Sequence, residues 1–193
     1  MTKQALRQRL LERLRKQPKR LRLRKSLAIS RVLRKLHVYR KAKTLLCYVA
    51  IDGEVETRPI LLQALADGKR VAVPVTLTRK KQLLAVEVRD PKQDLCRVGP
   101  YGIPEPRKNS RRKVASRDLD LVVVPAVAFD RQGRRLGRGA GYFDRFLERL
   151  PAGISRVGLA FHFQVVKKMP WEFHDQPVGK VITERGLFPK EKR

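Results

Sequence analysis

Acidic side chains are scarce in this sequence. Its 193 residues carry 46 Lys+Arg against 18 Asp+Glu, a formal charge of +28 at pH 7. A field of that sign draws in polyanions such as nucleotides, polyglutamylated cofactors or nucleic acid, without choosing among them and without bearing on the fold. Cysteine is rarer still. The two present, Cys47 and Cys96, stand far apart in no metal-ligand spacing, which argues against a disulfide framework. With three scattered histidines, a zinc site is also disfavoured. Cys47 falls in an apolar run and reads as a small buried side chain. No apolar run approaches the roughly 18 residues of a membrane span, and no signal-peptide core opens the chain. The Arg-rich, acid-poor start imitates an organellar presequence, but a reducing cytoplasm is the expected setting. No credible Ser-His-Asp or Cys-His set is present either.

What is present is an ordinary globular share of apolar residues, 42%, in a length that suits one domain spanning 1–193. Leucines at 6, 10 and 14 share one face of a helix expected from about Thr2 to Lys16, which Pro18 interrupts. A second helix is expected from about Lys19 to Leu36, with Ile29, Leu33 and Leu36 as its apolar stripe. Up to Lys43 the chain holds 17 Lys/Arg and a single acid, Glu12. Such runs usually form solvated faces, and this one lacks the interleaved aromatics of a single-strand platform.

Beyond Lys43 the apolar runs shorten and become rich in β-branched residues. Strands are expected at Thr44–Ala50, Val71–Val75, Leu83–Val88 (an edge or hairpin strand), Leu119–Phe129 (central, closed by Pro125), Arg156–Phe161 and Val181–Glu184. Helices are expected between the first two, ending at Gly68, and from Tyr142 to Leu150. "RKNSRRK" at 107–113 reads as a mobile basic connection. Alternating strands and helices predict an α/β layered sandwich with a mainly parallel sheet flanked by helices.

"GRRLGRGAGYFDRFLER", Gly133 to Arg149, is the stretch with chemistry in it. Three glycines on alternate positions between a strand and a helix start are suited to converging backbone N–H groups on a phosphate. The arginines among them add planar bidentate donors. Neither the P-loop nor the dinucleotide spacing is met, and a plain glycine-rich turn remains open from spacing alone. Asp144 lies in the helix's first turn, where the dipole favours it. It could equally reach a phosphate-bound Mg²⁺.

"RLGRGAGYFDRFL" closely resembles the signature of the 5-formyltetrahydrofolate cyclo-ligase family, also called 5,10-methenyltetrahydrofolate synthetases. "KQALR", "GEVETRPIL", "YGIPEP", "VVVPAVAFD", "GLAFHFQ" and "HDQPVGKVIT" follow the family's order over nearly the full length. The resemblance implies an open sandwich similar to the sugar-phosphate isomerase and CoA-transferase-like folds. It also implies ATP- and Mg²⁺-dependent ring closure: phosphorylation of the formyl oxygen of 5-formyltetrahydrofolate, attack by N10, and loss of phosphate. Carried across, Lys3 and Arg7, one helical turn apart, would contact ATP. Arg135, Gly137, Arg138, Gly139, Gly141 and Tyr142 would form the phosphate loop, with Arg138 and Tyr142 catalytic. Asp144 and Asp175 would ligate Mg²⁺. Val49, Glu54, Tyr142 and, in second rank, Glu56 would hold the folate or its polyglutamates. Tyr101 would wall the pterin, or equally pack as a turn residue on Pro104.

Three departures stand out. Phe143 replaces a usual tyrosine, Ala140 a glycine or lysine, and Gly179 a frequent aspartate. Ala140 is expected to be tolerated only at negative φ. These departures and the excess charge leave open a paralogue with lost or altered catalysis that binds nucleotide, a folate derivative or an acidic partner. A nucleic-acid-binding protein on the same scaffold ranks below it. A monomer is expected.

Overall fold

The computed structural model describes residues 2–51, 53–96, 99–106, 112–172 and 175–189. The basic connection expected at 107–113 lies outside the described residues from 107 to 111. Thr2 caps α1 (Lys3–Arg15), its hydroxyl accepting from the Ala5 N–H at 3.2 Å. Leu6, Leu10 and Leu14 are buried as their spacing predicts. Pro18, which lacks an N–H to leave unsatisfied, opens α2 (Lys19–Lys35). The chain turns extended at Leu36 and forms a further short helix, α3 (His37–Lys41), that the sequence pattern did not single out.

β1 (Thr44–Cys47) is followed by α4 (Arg58–Ala66), β2 (Arg70–Leu77), β3 (Gln82–Val88), the short α5 (Pro91–Asp94) and β4 (Lys113–Val114). Then come β5 (Leu121–Val124), β6 (Ala128–Asp130), β7 (Arg135–Leu136), α6 (Tyr142–Glu148), β8 (Ser155–Leu159), β9 (Val165–Val166), β10 (Lys180–Thr183) and β11 (Gly186–Phe188).

Among the described residues, the main sheet runs β11-β10-β8-β5-β1-β2-β3-β4. The five strands from β10 to β2 are parallel, and β11 on one side and β3 and β4 on the other pair antiparallel. Alternation along each central strand feeds two cores. Leu45, Cys47, Leu121 and Val123 pack with Ile29 and Leu33 of α2 and Ile60, Leu61 and Ala64 of α4. Leu46, Val122 and Val124 pack with Phe146 and Leu147 of α6. Because both faces are covered, these strands read as continuous apolar runs rather than alternating ones. The expected hairpin strand is β3, paired along its length with β2. Past Ala72, β2 pairs only with β3, so Pro74 sits where no second ladder needs its missing N–H.

The run Leu119–Phe129 is not one central strand. β5 stops at Val124, Pro125 breaks the ladder, and β6 joins a separate three-stranded sheet of order β7-β6-β9. That small sheet is the seat of α1: Leu6 and Leu10 pack on Val127, Ala128, Leu136 and Met169. From β1 the chain moves outward to β2 on one side and later through β5, β8 and β10 on the other. The order therefore reverses between β1 and β5, and the crevice beyond their carboxyl ends is where open α/β sheets take ligands.

Candidate active site

Two segments leave that crevice. One, from β1, carries Val49 and Glu54. The other, from β5 through β6 and β7, carries the glycine stretch into α6. Gly139 has φ +109° and Gly141, which caps α6 in the left-handed region, φ +66°. A Cβ at Gly141 would meet only the movable end of the Arg145 side chain, so it is the left-handed backbone that demands glycine there. Ala140 between them is not among the positive-φ residues, which meets the condition for tolerating a side chain.

α1 is held against this loop at its N-terminal end. The Arg7 Nε donates to the Gly137 carbonyl at 2.9 Å, and the Lys3 Nζ meets Asp175 at 2.8 Å and Glu172 at 3.0 Å. Burial pulls the Lys3 ammonium down, but the two carboxylates outweigh it and hold its pKa above the ordinary lysine value.

Arg135 is buried beneath the loop, its side chain 1% exposed, donating through Nη2 to Asp144 Oδ1 and through Nε to the Gln176 carbonyl at 3.0 Å. Burial lowers its pKa, and the charges of Asp144 and Asp175 oppose that shift. Both expected metal ligands thus lie near one cation, although 31 residues separate them in sequence. Asp144 Oδ2 accepts no hydrogen bond among the described residues. No group of three or more His, Cys, Asp or Glu suited to a metal occurs among them either.

The Arg138 Nε reaches across to Glu54 Oε1 at 3.1 Å, joining the two segments of the crevice. Glu54 Oε2 in turn accepts from the Ile51 N–H at 3.2 Å. Tyr101 and Tyr142 meet edge to face, centroids 6.2 Å apart and hydroxyls 3.5 Å apart. That hydroxyl contact raises the Tyr142 pKa, with a smaller push from burial. Phe143 packs against both cores and edge-on to Phe146, and Val49 packs partly buried on the first core. Glu56 stands apart from this convergence. It pairs with Arg22 of α2 at 3.0 Å, and its N–H donates to Ser26. Gly179 donates its N–H to the Arg156 carbonyl at the start of β10.

Sequence reasoning missed three contributors. Arg145 lies 5.5 Å over the Tyr142 ring and donates to the Ala140 and Lys81 carbonyls, Glu172 shares Lys3, and Gln176 supports Arg135. Only Arg145 offered a signal, three residues beyond Tyr142 on the same helix face.

The profile of the 5-formyltetrahydrofolate cyclo-ligase family matches residues 1–184. The 5-formyltetrahydrofolate cyclo-ligase of Escherichia coli K12 is 34% identical over 148 residues, 76% of this chain and 81% of that protein. The mouse protein of the same name is 29% identical over 189 residues, 94% of this chain and 93% of its own. Among solved structures, the 5,10-methenyltetrahydrofolate synthetase of Aquifex aeolicus superposes with a TM-score of 0.84 at 32% identity, covering 100% of this chain and 95% of that one. From the sheet order, the loop at its switch point and these relationships together, this chain belongs to the 5-formyltetrahydrofolate cyclo-ligase family.

Proposed function

We propose that this protein converts 5-formyltetrahydrofolate to 5,10-methenyltetrahydrofolate, with ATP going to ADP and phosphate. The observation that carries the reading is the convergence of Arg7, Arg135 and Arg138 at one glycine loop, with Lys3 on Asp175 at the same end of α1 and Arg138 bonded to Glu54 across the crevice. The cations and the loop's backbone N–H groups receive the polyphosphate. Glu54, with a carboxylate suited to the amino group and ring N–H of a pterin, receives the folate. The γ-phosphoryl group passes to the formyl oxygen, N10 attacks the formyl carbon, and phosphate leaves as the ring closes. Such a reaction needs positioned reactants and neutralised phosphate charge rather than a protein nucleophile.

Arg138 lies at the seam, so its guanidinium is placed to stabilise the transferring group while Glu54 orients the acceptor. Tyr142 and Tyr101 wall the crevice beside the loop, and Val49 lines it. Asp144, with its second oxygen uncommitted among the described residues, and Asp175 would hold Mg²⁺. Two carboxylates suit an ion that completes its shell with phosphate oxygens and water. When bound, Mg²⁺ supplies further neutralisation of the phosphates.

The test is the absorbance of the methenyl product on mixing the protein with 5-formyltetrahydrofolate, Mg²⁺ and ATP. An ATP-dependent rise supports the reading and shows that a phenylalanine at 143 is compatible with turnover. A flat trace from folded protein sinks it.

A further inference from the structure

Away from the crevice, an open groove of about 430 Å³ lies between the outer face of α1 and the segment after β8. It is lined by Arg9, Leu10, Glu12, Arg13, Lys16 and Phe163. Nothing in the proposed reaction uses it. Phe163 stacks on buried Phe161, centroids 5.9 Å apart and 17° from parallel, and the Arg13 guanidinium carbon lies 4.4 Å from the Phe163 ring centre. Lys25 of α2 approaches the same ring at 5.9 Å.

The N-terminal helices are rich in cations but have no aromatic at this site. The fold supplies one from 150 positions beyond Arg13. A base can stack on an arginine plane or an aromatic ring, and the volume falls in the range of small-ligand sites. Arg9 and Lys16 flank the pair at the spacing of successive helical turns; Lys16 pairs with Glu12 of the same lining, an exposed ion pair that a phosphate can replace. Lys19, Arg20 and Arg24 continue the positive track along exposed positions of α2. An aromatic–arginine platform on a basic track is the chemistry of single-stranded nucleic acid binding. A membrane surface fits less well, because the large exposed apolar side chains of α2, Leu23 and Leu27, do not line the groove, and its own leucine, Leu10, is buried.

We propose that this groove is a second binding site, for single-stranded nucleic acid, with a base on the Arg13–Phe163 pair and phosphates on Arg9 and Lys16.

The experiment titrates the full chain into a fluorescently labelled 12-nucleotide oligoadenylate and follows anisotropy across a salt series. An abasic phosphodiester strand of equal length is the control, and both are repeated with saturating ATP and Mg²⁺. The base-bearing strand is expected to bind about tenfold more tightly than the abasic one, with no loss when ATP is added. Phe163→Leu, which keeps an apolar side chain of similar volume, should erase that preference while leaving abasic binding unchanged. Arg9→Ala with Lys16→Ala, both at exposed positions, should lower the salt slope by roughly 1.4, two phosphates' worth for a single strand. Phe163→Leu is checked by circular dichroism. If it unfolds, Arg13→Ala at an exposed position takes its place and must also erase the preference. Equal binding of the two strands, displacement by ATP, or a preference that survives these substitutions would overturn the proposal and leave only charge attraction.

Discussion

Replacing Arg138 by alanine isolates the seam of the site. In the wild type its Nε lies 3.1 Å from Glu54 Oε1, with side chains 31% and 10% exposed. The carboxylate is therefore poorly hydrated while the arginine remains reachable by a ligand. Truncation removes one charge-assisted hydrogen bond and one cation facing the transferred phosphoryl group. Losing a single such donor typically costs about 10²–10³ in kcat. We therefore expect kcat/KM for ATP to fall by roughly 10²- to 10³-fold. The folded state should lose under about 1 kcal/mol, because a pair with one partner a third exposed is screened.

The assay is initial-rate formation of the methenyl product at varied ATP and varied 5-formyltetrahydrofolate, with thermal melts of both proteins. Glu54→Gln completes a double-mutant cycle in which the two substitutions should be non-additive by about 1–3 kcal/mol, since each removes the charge pairing of the same contact. Arg138→Lys should recover only part of the loss, because an ammonium keeps the charge but not the planar fork. Wild-type kcat and KM in a folded Arg138→Ala protein, or strict additivity with Glu54→Gln, would refute the assignment of this pair to the bridge between nucleotide and folate.

Asp144→Asn should raise the Mg²⁺ concentration giving half-maximal rate. It should also destabilise the protein by about 2–4 kcal/mol, because buried Arg135 loses its counter-charge; an unchanged Mg²⁺ titration would count against Asp144 as a ligand. Gly158→Ala in β8 would place a Cβ 2.5 Å from the Phe129 ring, and a chemical-denaturation midpoint should report a loss of about 1–3 kcal/mol. Acid stability tests a third region. Burial would raise the Asp94 carboxyl, but Arg112 and the N–H groups of Arg89 and Asp90 outweigh it and leave its pKa below the ordinary 3.8. A depressed carboxylate contributes stability in full above its unfolded value and loses it as pH falls through the folded value. Asp94→Asn should accordingly lower the melting temperature near neutrality and flatten its decline below about pH 4; a parallel decline in both proteins would dismiss the effect.

Local signals carried most of the elements. Leu6, Leu10 and Leu14 on one face, the unbroken run at Thr44–Cys47 and the glycine after α4 each encode their element through nearest neighbours, so pattern alone suffices to place them. Pro125 was legible as a stop, but not as a change of sheet. Whether a strand after a proline rejoins the same ladder depends on partners that β7 and β9 supply from further along the chain. The short α3 carries too few turns for a period to register.

At the site, the sequence by itself determined which residue types stood ready: a glycine loop flanked by arginines, a helix beginning with cations one turn apart, and carboxylates at 54, 144 and 175. The folded chain decided who meets whom. Arg138 pairs with Glu54 from 84 residues away, Lys3 with Asp175 from 172, while Glu56, two residues from Glu54, turns to Arg22 on another helix. Such pairings have no sequence period, because they arise where the reversal of strand order between β1 and β5 brings distant loops to one crevice. A charge's partner is chosen by what the packed sheet and helices place within about 3 Å of it, and separation along the chain has no say in that distance.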